Sequence, residues 1–205
     1  MRRTKVGVGR IIVCAAAAAT VLAGCGGGPS NDPLARDALI RASEASAGAK
    51  SYVAVVNPSA PAPVTFTYVA PDRLRVQQGT GKSAVVVVQV ALAGYHSDPK
   101  RPGRFTKRLE NVAPDANAPL GIVSSLITRS THVARRGNAI RFDVAYGHVT
   151  AHLLVHIDPQ GLLADAELPV FDKAHKVVSY KEVAFAEYNR APAVVPPSTR
   201  LIAGG

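Results

Sequence analysis

His148, His152 and His156 recur every four residues, the interval at which a helix stacks side chains on one face and could present three imidazoles to a metal. Their neighbours contradict a helix. Val149, Ala151, Leu153, Val155 and Ile157 alternate with polar positions at the period of two that marks a strand. Four strand residues span about 13 Å, and two imidazoles that far apart cannot share a zinc ion with Zn–N bonds of ~2.0–2.1 Å. No metal site is assigned. The histidines read as solvent-facing groups, with pH sensing open to them because imidazole changes charge near neutral pH. Ser124 and Ser125, with His132 and Asp143 further on, are the residue types of a nucleophile, a base and an orienting acid. No Gly-x-Ser-x-Gly elbow surrounds the serines, and in an amphipathic helix such serines serve as polar filler. The sequence holds no phosphate loop, dinucleotide fingerprint or paired-cysteine motif. It therefore assigns no catalytic residue and no cofactor, and the chain reads as non-enzymatic.

The other reactive side chain is Cys25. Arg2, Arg3, Lys5 and Arg10 form a positive start without acids, an apolar run follows from Ile11 to Leu22, and Leu22-Ala23-Gly24-Cys25 closes it. The pattern resembles a bacterial lipobox. It implies removal of residues 1–24 as a signal peptide and acylation of Cys25 as the new N-terminus. The apolar run is short of the ~20 residues that span a bilayer. Stable anchoring takes two hydrophobic signals, which the diacylglyceryl group implied by the lipobox would supply. Residues 25–31, rich in glycine, then form an acylated flexible tether. The expected location is the extracytoplasmic face of the cell membrane, lipid-anchored.

Cleavage leaves 181 of 205 residues, enough for one domain over 32–205 with its own core. The two cysteines, Cys14 and Cys25, fall in the signal and at the anchor, so the domain has no disulfide and no cysteine chemistry. Losing four basic residues lowers the net charge from +10 to +6. Such a charge favours anionic membrane surfaces, and export argues against nucleic acid as a partner. Lys100, Arg101, Arg104, Lys107 and Arg108 are the densest basic cluster, either a solvated hairpin or a docking patch for anionic head groups.

These groups must be positioned by a small set of elements. Asp32 as N-cap and Pro33 at the first position start a helix with a stripe of Leu34, Ala38, Ile40, Ala42 and Ala45, ending near Gly48. Val64, Phe66 and Tyr68, then Pro71-Asp72, then Leu74 and Val76 predict a hairpin with one wet face. Ala84–Leu92 suits a strand buried on both faces or one that changes face. Short strands follow at 94–96 and 105–109, a loop over 114–119, and a helix over about 119–128 containing Leu126. Strands are expected at 139–146, 149–157, 162–168 and 176–188, with a proline-rich extended tail at 191–198. The order favours an α+β domain: a curved antiparallel β-sheet, or half-barrel, with helices covering the concave face. Phe66, Tyr68, Leu74, Val76, Leu126, Ile140, Phe142, Leu153 and Val155 share consistent apolar faces. They serve a packed core or line an acyl-chain cavity under the 120–127 helix, and spacing does not separate the two.

This layout resembles the half-barrel envelope lipoproteins, which include bacterial lipoprotein carriers and mycobacterial glycolipid-binding lipoproteins. The resemblance rests on the lipobox at Cys25, the opening helix, the Val64–Val76 hairpin with its Ala70-Pro71-Asp72-Arg73 turn and the mid-chain helix at Leu120–Ile127. It rests also on His156-Ile157-Asp158-Pro159-Gln160-Gly161-Leu162 and the close from Val183-Ala184-Phe185 into Val194-Val195-Pro196-Pro197. It implies lipid, glycolipid or lipidated partners held between sheet and helices. A role as a protein-interaction or sensor module without a cavity stays open as the alternative.

Overall fold

The computed structural model describes residues 31–203. The expected signal peptide, Cys25 and most of the expected tether lie outside the described residues. Asp32 caps α1 (Pro33–Ala47) by accepting the Leu34 and Ala35 amides at 3.0 and 3.1 Å, donors that the helix itself cannot satisfy. The buried stripe is Ala35, Leu39, Ala42, Ser43 and Ser46. The expected stripe is thus partly misplaced: Leu34 is 74% exposed and Ala45 faces solvent. Small residues face inward because they let the helix approach its neighbours closely.

Six strands follow in a meander: β1 (Ser51–Val56), β2 (Val64–Val69), β3 (Arg73–Gln78), β4 (Val85–Val90), β5 (Ala93–Ser97) and β6 (Phe105–Leu109). Two helices, α2 (Pro114–Asn117) and α3 (Pro119–Thr128), carry the chain to the opposite end of the sheet. There a second meander begins: β7 (Thr131–Arg136), β8 (Ala139–Tyr146), β9 (Val149–Ile157), β10 (Leu163–Phe171) and β11 (Val177–Ala186). β11 pairs with β1, so the two meanders fuse into one sheet. β12 (Ile202–Ala203) returns to pair with β6. The spatial order is β12-β6-β5-β4-β3-β2-β1-β11-β10-β9-β8-β7. Every pairing is antiparallel except the parallel β12–β6 contact, so the sheet is mixed. With helices on one face of a curved sheet, the α+β half-barrel is the observed architecture.

The β2–β3 hairpin has the expected register, with Phe66 opposite Val76 and Tyr68 opposite Leu74. β8 to β11 also fall where alternation places them. Two expectations are corrected. The 114–119 loop contains the single turn α2. The strand over Ala84–Leu92 is not buried on both faces: Val85 and Leu92 are 46% and 48% exposed, and only Val88 and Gln89 are buried.

The reason is the placement of the cover. α1 lies over β7 and β10 and packs along α3, while α2 touches β3. Strands β7–β11 therefore carry a filled core that includes Val133, Ile140, Phe142, Leu153, Val155, Leu163 and Val183, all at most 2% exposed. On β2 to β4, the same sheet face presents half-buried Phe66, Tyr68, Val76 and Val87.

Candidate functional site

The boundary between the filled and the open half is a groove of about 540 Å³, within the ~300–1,000 Å³ range of ligand pockets. Its floor is aromatic. Tyr52 on β1 stands directly opposite Tyr68 on β2, with ring centroids 5.4 Å apart. Phe185 and Tyr188 pack against Tyr52 from the β11 side at 6.1 and 6.2 Å. Leu120 and Leu126 of α3 form the wall, with Ile122 at 42% exposure on the same helix. Ala47 and Ala49 leave room at the end of α1.

Local sequence explains this geometry. α3 starts after Ala118, which has no side-chain cap to offer. The missing acceptor comes from the sheet: the Leu120 amide donates to the Tyr52 hydroxyl at 3.3 Å, fixing the start of the wall over the floor. A Cβ on Gly121 would stand 2.7 Å from the Asp115 carbonyl, so only glycine lets α3 fold this closely against α2. The lead-in is held by Gln89, 4% exposed, whose amide donates to the Ala91 and Val112 carbonyls at 3.0 and 2.7 Å. Glu110 occupies the space beside Gly94 and meets His96 Nε2 at 2.6 Å.

The polar groups are few and lie at the rim: Asp115, Ser124, Ser125 and Arg129. Ser43 on α1 donates to Ser124 at 3.0 Å, joining the two helices. The Arg129 guanidinium lies 5.5 Å from the centre of the Tyr146 ring. Tyr146 in turn stacks edge-on with Phe171 at 4.7 Å and lines a second hollow of about 510 Å³ with His148 and His175. Burial pushes the Tyr188 phenol up to about 12, and holds the Tyr52 and Tyr68 phenols above their ordinary value as well. All three stay neutral at physiological pH. The groove thus offers an apolar, uncharged floor with one cation, Arg129, and one carboxylate, Asp115, at its edge.

Of the nine positions expected on the apolar face, Tyr68 and Leu126 line the groove. Phe66 and Val76 continue the same face half-buried, and Leu74, opposite Tyr68 on that face, is 2% exposed. Ile140, Phe142, Leu153 and Val155 are enclosed in the filled half. Tyr52 and Arg129 went unselected in the sequence. Tyr52 opens a strand directly after a helix, with no turn signal, and Arg129 reads there as an ordinary helix-end cation.

The remaining reactive residues separate. His152 Nδ1 meets Asp143 at 2.7 Å and His132 approaches the same carboxylate at 3.3 Å, on the sheet face opposite the helices. Ser124 belongs to the groove, so the sheet divides the serines from that pair, and the four residues build no triad. His156 pairs with Asp165 at 2.6 Å, and His148 lies in the β8–β9 turn. Among the described residues no cluster of histidine and acid side chains has metal-binding geometry. No helix of the described residues is long and apolar enough to cross a membrane. Lys100, Arg101, Arg104, Lys107 and Arg108 are exposed around the β5–β6 hairpin, with Arg101 held by Asp98 at 2.8 Å.

A half-walled sheet crossed by two helices defines the class to which this chain is similar in fold. LprF from Mycobacterium bovis shares it at a TM-score of 0.50 and 13% sequence identity, over 82% of this chain and 99% of that one. The Mycobacterium tuberculosis lipoprotein LppX superposes with a TM-score of 0.47 and 12% identity, over 80% of this chain and 100% of that one. No protein-family model and no curated protein sequence matches the chain.

Proposed function

We propose that the protein is a non-enzymatic lipoprotein, anchored by acylated Cys25 on the extracytoplasmic face of the cell membrane, that holds a lipid, glycolipid or lipidated partner in the Tyr52–Tyr68 groove. The observation that carries this reading is the groove's chemistry: an aromatic and aliphatic floor beside an exposed Ile122, with Arg129 at the mouth. Transfer of acyl methylenes onto that floor is favourable by about 25 cal/mol per Å² removed from water. Arg129 would pair with a phosphate or carboxylate head group as the tail enters. The likeness to LprF supports the half-barrel frame, and the lipobox supports the anchor.

A lipid-bound fluorophore tests the reading directly. A fluorescent acyl probe should bind, brighten and be displaced by unlabelled phospholipid. Ser125→Trp, which fills the groove from an exposed helix position, should abolish the signal while the circular dichroism stays unchanged. Equal binding by the Trp variant would place the lipid elsewhere.

A further inference from the structure

The chain enters the fold at one particular edge. Asp32 N–H donates to the Val133 carbonyl at 2.7 Å, and the Val133 amide donates to Asn31 Oδ1 at 3.2 Å. These bonds stitch the start of the domain onto β7, the outermost strand at one end of the sheet. Only six residues separate Cys25 from Asp32, a reach of about 25 Å even when fully extended. An acyl anchor at Cys25 therefore holds the β7 edge close to the bilayer.

That edge is basic. Arg135 and Arg136 end β7, both exposed, three residues or fewer from the stitched Val133. Their register places Arg135 opposite Ile140 and Arg136 opposite Ala139, so they project to opposite faces and charge the rim on both sides. Arg141 on β8 is half-buried and already paired, 3.8 Å from Asp143 and 3.0 Å from His152 Nδ1. The carboxylate in this register, Asp143, is 7% exposed and engaged by His152, His132 and Arg141, while Asp37 is exposed on α1. The Lys100–Arg108 cluster belongs to the other end, ten strand spacings or about 48 Å away along the sheet. The tether is attached at the first edge and not at the second.

We propose that the β7 rim, through Arg135 and Arg136, rests on a bilayer surface bearing anionic phospholipid and so fixes how the domain stands on the membrane. The inference rests on the anchor at Cys25 and is independent of what fills the groove. Arginines on an outer strand also discourage strand addition, but that role alone gives no preference for anionic lipid.

The test uses the mature, acylated chain reconstituted in vesicles of phosphatidylcholine, with or without anionic phosphatidylglycerol. A fluorophore is attached through Asn138→Cys in the β7–β8 turn or Leu109→Cys on β6, and a quencher is carried on the lipid head groups. The expected result is strong quenching at position 138 in anionic vesicles and little at position 109. Arg135→Gln with Arg136→Gln should weaken the surface-held state roughly 25-fold, at about fivefold per arginine. High salt should act in the same direction. Attached protein that quenches equally at both sites, or at 138 regardless of lipid charge, overturns the rim alone. Protein that washes off neutral vesicles contradicts the anchor, and the rim with it.

Discussion

The Tyr52 ring is buried among three other aromatic rings, and its hydroxyl accepts the amide that begins α3. Removing that oxygen leaves the Leu120 amide without its acceptor. Tyr52→Phe is expected to lower the unfolding free energy by about 1 kcal/mol, read as a shift in the urea midpoint at constant slope. A change far below that would mean water serves the amide equally well. The same burial gives a pH signature. Tyr52 and Tyr188 have folded pKa values raised above the ordinary tyrosine value of about 10. The unfolded chain therefore loses these protons first. Their contribution to stability is complete below pH 10 and is lost as pH climbs toward 12. Thermal midpoints measured from pH 9 to 12 should fall over that interval, and less steeply in Tyr188→Phe.

Among the elements, the crossing between the two meanders decides whether a groove exists. α3 holds its position through the Tyr52 hydroxyl at its start, Ser43 along its side and the close approach at Gly121. Gly121→Ala should push α3 away from α2 and lower stability by about 1–3 kcal/mol, as overpacking does. It should reduce acyl-probe affinity as well, and a variant with lost stability but full affinity would show that the wall does not depend on α2. The elements were unequally legible. The β2–β3 hairpin was read correctly because strict alternation is interrupted by Pro71-Asp72, and β8 and β9 because Phe142 and Leu153 alternate with charged or histidine neighbours. β1 went unrecognised because Tyr52 and Ala54 face the core while Val53 and Val55 are also apolar, which erases the period. β7 was missed because Val133 is its single fully buried residue. The inward face of α1 is legible only at Ala42: hydrophobicity points to Leu34, whereas close packing selects Ala35, Leu39, Ser43 and Ser46 beside it.

For the whole molecule, hollow and filled regions among the described residues come from where α1, α2 and α3 lie on the sheet. That placement depends on contacts between residues distant in sequence, such as Ser43 with Ser124 and Tyr52 with Leu120, which no local pattern carries. The nine apolar positions consequently looked alike in the sequence. The structure sends Ile140, Phe142, Leu153 and Val155 to a closed core and leaves Tyr68 and Leu126 at a groove. Substitutions in the two sets should differ in kind. Phe142→Ala should cost about 3–5 kcal/mol of stability. Phe66→Ala, at a half-buried position on the open floor, should cost less and weaken lipid binding more, as equilibrium unfolding and acyl-probe titration of each variant would show.

The central claim is that the groove holds lipid, and native mass spectrometry of the chain beginning at residue 26, purified from a host with envelope lipids, tests it most directly. The account predicts adducts of lipid mass that survive gentle activation and disappear in Ser125→Trp. A clean apo mass for the unaltered protein, with a folded charge-state envelope, would contradict it and leave the groove as a surface for another envelope protein.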